Sequence, residues 1–109
     1  MIKVIITRDR DKIERGIEIH GHAGYAEYGQ DIICSAVSSL ALNMANSVEE
    51  FTDDHFEGRV SEDGGYFSFS FPEEISPESQ LLMKSLILGL QNIQRDYGAE
   101  YINFRFREV

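Results

Sequence analysis

The hydrophobic and polar positions divide the chain into seven segments. Ile2 to Thr7 reads as a first strand, and the polar stretch Arg8 to Arg15 as the turn after it. A second strand runs from about Gly16 to His22, with Ile17 and Ile19 on one face and Glu18, His20 and His22 on the other. A glycine-punctuated loop, Ala23 to Gln30, carries Tyr25 and Tyr28. Asp31 opens a helix as its N-cap, because a carboxylate there accepts backbone N–H bonds of the first turn. Ile33, Val37, Leu40, Met44 and Val48 then recur at helical spacing, widened by Ala36, Ala41 and Ala45, and the helix should end near Glu50 or Phe51.

His55 to Ser61 and Tyr66 to Phe71 predict a hairpin around Glu62-Asp63-Gly64-Gly65. The alternating Phe67, Phe69 and Phe71 should share a face. Ser76-Pro77 starts a second helix, with Ser as cap and Pro at the first helical position. Its stripe is Leu82, Leu86, Leu90, Ile93 and Tyr97, and Gly98 is placed to end it. The last strand is Tyr101 to Arg107, with Ile102, Phe104 and Phe106 inward. The order β-β-α-β-β-α-β predicts an α+β fold. In it, two helices pack on one face of a mostly antiparallel sheet, burying both helix stripes and one strand face.

Composition narrows this picture. The 109 residues suit one domain spanning 1–109, with no internal repeat and no linker. Nineteen acids stand against ten Lys and Arg, giving a net charge of −9. That balance argues against duplex nucleic acid as the main partner, where binding rests on neutralising phosphates, and fits a cationic protein partner. The single Cys excludes an internal disulfide. No apolar run nears the ~20 residues needed to span a bilayer, and the N-terminus lacks the features of a signal peptide. A cytoplasmic location is expected.

Candidate chemistry is concentrated between Gly21 and Ser38. With Asp31 as cap, Cys34 is the third residue of the helix, where the macrodipole lowers a thiol pKa and favours the nucleophilic thiolate. His22 lies twelve residues earlier at a strand end, and an eight-residue loop can bring the two together as nucleophile and base. Against this, a lone cysteine in a helix often serves only as a small hydrophobe. His20, His22 and Cys34 offer three zinc ligands, but no fourth stands nearby in sequence. Gly21, Gly24 and Gly29 match no nucleotide-binding pattern and read better as hinges of a loop that opens and closes over a peptide. Asp31 either orients His22 or only caps the helix. Ser38, one turn beyond Cys34, is either a neighbour of the site or an ordinary helix residue. Tyr25 and Tyr28 either contact substrate or are plain loop aromatics.

The stretch Gly21-His22-Ala23-Gly24, followed by Gly29-Gln30-Asp31-Ile32-Ile33-Cys34-Ser35-Ala36-Val37-Ser38, resembles the ribosomal-processing cysteine protease family, Prp. Length, element order and acidic balance fit the same family across the chain. The resemblance implies a cysteine endopeptidase with Cys34 as nucleophile and His22 as base, and no cofactor or metal. It implies a bacterial, cytoplasmic homodimer that removes the N-terminal extension of large-subunit ribosomal protein twenty-seven, cleaving after Phe. Gly21, Asp31 and Ser38 would support the site, and Ala23, Gly24, Tyr25, Tyr28 and Gly29 would form a substrate loop. Backbone N–H groups at the helix start, that of Cys34 included, are expected to hold the oxyanion. Leu81 and Leu88, seven apart and off the main stripe, either form part of a dimer surface or lie under neighbouring strands. The expected partner is a ribosomal-protein precursor peptide, with neither nucleic acid nor membrane bound directly. Two other readings use the same residues differently: a non-catalytic ribosome-associated peptide-binding module, and a thiol redox protein that lacks a resolving cysteine.

Overall fold

The computed structural model describes residues 1–21, 28–62 and 64–109, with the backbone alone for 28–31. The elements are β1 (Ile2–Arg8), β2 (Glu14–His20), α1 (Tyr28–Phe51), β3 (Glu57–Val60), β4 (Tyr66–Ser70), α2 (Pro77–Tyr97) and β5 (Ile102–Glu108). The predicted α+β order is therefore present, with strand order β3-β4-β2-β1-β5. Three strand pairs are antiparallel, and β1 with β5 is parallel. The parallel pair follows from connectivity, because α2 crosses over between β4 and the far edge of the sheet.

One sheet face is covered. Ile2, Val4 and Ile6 of β1, Ile17 and Ile19 of β2, Phe67 and Phe69 of β4 and Ile102 of β5 are buried. They meet Ile33, Val37, Ala41, Met44 and Val48 of α1 and Met83, Leu86, Ile87, Leu90 and Ile93 of α2. The helices touch where Gly89 leaves room: a Cβ there would stand 3.0 Å from Leu40 Cδ1. Phe69 stacks on Phe56 at 4.7 Å and meets Phe71 edge-on at 5.4 Å, so the three phenylalanines of the hairpin share the buried face as expected.

Several expectations shift. Of the three inward positions on β5, Ile102 is buried, Phe104 half-buried and Phe106 exposed. The strand is an edge strand that runs out from under the helices, and the Arg8 guanidinium covers the Phe106 ring at 4.3 Å instead. Tyr97, at the last turn of α2, is 51% exposed for the same reason. Leu81 and Leu88 are exposed and do not lie under strands. The second strand stops at His20 rather than His22. The largest revision concerns α1: it begins at Tyr28, so Asp31 is its fourth residue and not its N-cap, and Tyr28 and Gly29 belong to the helix rather than to a loop. The turn's Asp63 lies outside the described residues.

Candidate active site

The ends of β1 and β2 and the β3–β4 turn meet α1 around a cleft. Gly21 closes β2 with φ +88, a left-handed conformation that favours glycine. Its N–H donates to the Gly65 carbonyl at 2.9 Å, tying the strand end to the β3–β4 turn. A Cβ at Gly21 would stand 2.5 Å from the Met1 carbonyl oxygen, so no side chain fits between the strand end and the N-terminus. The end of β2 is therefore tied to the β3–β4 turn and lies close against the N-terminal residue. His22, Ala23, Gly24 and Tyr25, expected to supply the base and part of the substrate loop, lie outside the described residues.

The cleft is lined by Ile2, Ile19, Gly21, Cys34, Val37, Ser38, Ala41, Leu42, Val60, Gly64, Tyr66 and Phe67, and holds about 150 Å³. Three helical rungs, Cys34, Ser38 and Leu42, stand one turn apart along its wall, with Val37 and Ala41 beside them. Cys34 is half-buried, packed against the core on one side and facing the cleft on the other. A thiol so placed has a helical backbone and apolar walls. Such walls suit an apolar substrate side chain, and 150 Å³ is the size at which an apolar protein cavity takes up a benzene-sized ring.

Cys34, Gly21 and Ser38 are thus brought to one cleft, as the sequence anticipated for a strand end beside a helix. The position of Cys34 within the helix differs. It is the seventh residue of α1, in the second turn, where its own N–H is committed to the helix. The expectation that this N–H holds an oxyanion is corrected accordingly. The hairpin and N-terminal contributions, Ile2, Val60, Gly64, Tyr66 and Phe67, were not anticipated as site residues. Their one sequence signal was Gly64-Gly65, a turn whose first glycine adopts φ +76.

His20 does not join the cysteine. It points to the opposite face of the sheet, where its Nε2 lies 3.2 Å from Glu18 Oε1 and its ring meets Tyr66 edge-on at 4.9 Å. A zinc site combining His20 with Cys34 would have to pass through the sheet.

A sequence profile of the family described as cysteine protease Prp matches residues 1–103. The chain belongs to this family. The ribosomal processing cysteine protease Prp of Bacillus subtilis (strain 168) is 40% identical over 101 residues, covering 89% of this chain and 90% of that one. The protein of the same name from Staphylococcus aureus (strain Mu50 / ATCC 700699) is 28% identical over 98 residues, covering 90% and 92%. Crystal structures of an essential ribosomal processing protease Prp from S. aureus share the fold. One is in complex with a covalently linked product peptide (TM-score 0.88, 27% identity) and one with a substrate peptide (TM-score 0.90, 26% identity). Each comparison covers 98% of this chain and 100% of that one. Family membership makes the chain a cysteine endopeptidase, and the binding-module and redox readings give way to hydrolysis.

Proposed function

We propose that this protease removes the N-terminal extension of large-subunit ribosomal protein twenty-seven, cleaving after Phe with Cys34 as nucleophile and His22 as base. The observation that carries the reading is the placement of Cys34, the chain's single cysteine, on a rigid helix at the wall of an apolar cleft sized for one aromatic ring. The relatives named as ribosomal processing proteases, and the S. aureus structure with a covalently linked product peptide, support the same choice.

In this mechanism His22 takes the proton from the Cys34 thiol, and the sulfur attacks the carbonyl carbon of the substrate Phe. The tetrahedral intermediate collapses to an acyl-enzyme as His22 returns the proton to the leaving amine. Water, deprotonated by His22, then hydrolyses the thioester. Ser38 stands one helical turn from the thiol on the same wall, within the cleft that receives the substrate. Gly21 fixes the backbone immediately before His22. The same reading assigns substrate contact to Ala23, Gly24, Tyr25, Tyr28 and Gly29, and assigns Asp31 to orienting His22 or to the helix start. The enzyme acts in the cytoplasm as a homodimer, with the exposed Leu81 and Leu88 as part of the contact. The chain's −9 charge attracts a basic ribosomal protein.

The test is mass spectrometry of a peptide spanning the extension, incubated with wild type, Cys34→Ala and His22→Ala. Cleavage after Phe by wild type and by neither variant is expected. Full cleavage by either variant overturns the dyad. Cleavage at another residue overturns the Phe assignment.

A further inference from the structure

The sheet has a second face, turned away from the helices, and its residues follow directly from strand register. Tyr66, His20, Lys3 and Asn103 stand side by side in one row across β4, β2, β1 and β5. Arg59, Ser68, Glu18, Ile5 and Arg105 form the next row. Glu57, Ser70, Gly16, Thr7 and Arg107 form the third. Lys3, Arg59, Asn103, Arg105 and Arg107 are exposed, while Tyr66, His20, Ser68 and Ser70 are half-buried, so the face is open to solvent.

The charge of this face runs against that of the molecule. It holds four of the chain's ten Lys and Arg residues and only two of its nineteen acids. One of those two carboxylates is already engaged: Glu18 accepts from the Tyr66 hydroxyl at 3.4 Å and lies 3.2 Å from His20 Nε2 and 4.0 Å from the Arg107 guanidinium. The first row carries no acid at all. At one end of the strands, the adjacent Tyr66 and His20 rings, 4.9 Å apart, offer π surface, flanked by a lysine and an amide.

We propose that this open face is a docking surface for single-stranded RNA. Cations on the flanking strands would neutralise phosphates, serine and asparagine groups would donate to phosphate and sugar oxygens, and the paired rings would stack unpaired bases. The adjacent pair of rings favours a single strand over a duplex, whose bases are already stacked on one another. An acidic protein can carry such a surface because phosphates respond to local potential within the screening length, ~8 Å at physiological salt, more than to net charge. The face lies on the side of the sheet opposite Cys34 and shares only Tyr66, at the start of β4, with the cleft lining, so RNA and a peptide can be held at once. This goes beyond the protease reading and does not depend on it.

The experiment is fluorescence anisotropy with a labelled oligouridylate of about twelve nucleotides, within the span of one sheet-type binding site. Titrations run from about 50 to about 200 mM salt. Neutralising up to four phosphates predicts a slope of log K against log salt near −3, and Lys3→Ala with Arg105→Ala should reduce it by about half and weaken binding at low salt at least about tenfold. Arg95→Ala, on the exposed last turn of α2, should leave binding unchanged. Peptide hydrolysis should be equal in all three proteins, which also shows that the variants fold. Absence of binding at low salt overturns the proposal, as does an Arg95→Ala effect equal to that of the double variant. Equally tight binding of polyglutamate also overturns it, in favour of an acidic protein partner.

Discussion

The two helices do different work, and their first turns differ accordingly. α2 is fastened by local chemistry. Ser76 adopts the extended cap conformation (φ −70, ψ 159), and its Oγ accepts from the Ser79 N–H at 3.2 Å. Pro77 occupies the first helical position and Glu78 the first turn. Asp54, from beyond the end of α1, accepts from Ser76 Oγ at 2.6 Å and Ser76 N–H at 3.0 Å. At its other end Gly98 donates its N–H to Gln94 O at 2.8 Å. α1 begins at Tyr28, and no proline stands in its first turn. It is held instead by the buried stripe from Ile33 to Val48. A helix secured by packing can leave its first turns to border a cleft. The comparison teaches that α2 is fastened at its start by local bonds, whereas α1 borders the cleft in which the proposed mechanism places its chemistry, and each prediction below separates those two roles.

The largest effect belongs to α1. Cys34→Ala should lower peptide cleavage at least about a thousandfold, because the proposed mechanism makes its thiol the nucleophile. Thermal unfolding should hardly move, since only a half-buried sulfur is lost. A matching collapse in stability would show that α1 serves packing at this position as much as chemistry, and the contrast would fail. Leu90→Ala on α2 should do the reverse. Leu90 is fully buried at the helix–sheet contact, and truncation of such a leucine costs about 2–5 kcal/mol of unfolding free energy. Denaturant titration measures that loss, while kcat at a temperature where the variant is folded should stay near wild type.

The difference between the helices also explains what the sequence revealed. Ser76-Pro77 and Gly98 are local signals, and the structure uses both. The α1 stripe is periodic over about four turns, so its buried face was legible even though its start was not. Asp31 looked like a cap because aspartate commonly is one; nothing nearby in sequence revealed that the helix continues back to Tyr28. Phe106 and Tyr97 fit their patterns but lie beyond the edge of the packed layer, which periodicity within one element cannot indicate. The motif pointed to Cys34, which lines the cleft, whereas the wall facing it comes from Ile2, Val60, Gly64, Tyr66 and Phe67, brought there by long-range pairing. Register, once known, also supplied what net charge concealed: a cationic sheet face on an acidic chain.

A smaller effect probes the α2 cap. Ser76→Ala should cost about 1 kcal/mol, as is usual for a lost N-cap, with kcat unchanged. Asp54 adds a pH dependence. Its partial burial acts to raise the carboxyl pKa, but hydrogen bonds from the Ser76 hydroxyl and amide outweigh that and hold it below its ordinary value of 3.8. A carboxyl lowered in the folded state contributes stability that is fully present above the unfolded value and is lost as pH falls through the folded one. Chemical denaturation from neutral pH down to below 3.8 should therefore show a fall near the acid end that is shallower in Asp54→Asn. Parallel curves for the two proteins would remove Asp54 from the cap.

The smallest effect is the sharpest discriminator between the helix starts. As the fourth residue of α1, Asp31 is inside the helix, and its own N–H no longer needs a cap. Asp31→Ala should then change unfolding free energy by only a few tenths of a kcal/mol, the scale of a carboxylate near a helix N-terminus. Ser76→Ala, measured beside it, should cost about 1 kcal/mol. Equal losses at the two positions would make Asp31 a true cap and move the start of α1 towards Cys34, restoring the first-turn placement of the thiol. Unchanged stability with a fall in kcat would leave the helix start at Tyr28 and assign Asp31 to orienting His22. The two measurements together therefore decide where α1 begins and whether its first carboxylate belongs to the fold or to the reaction.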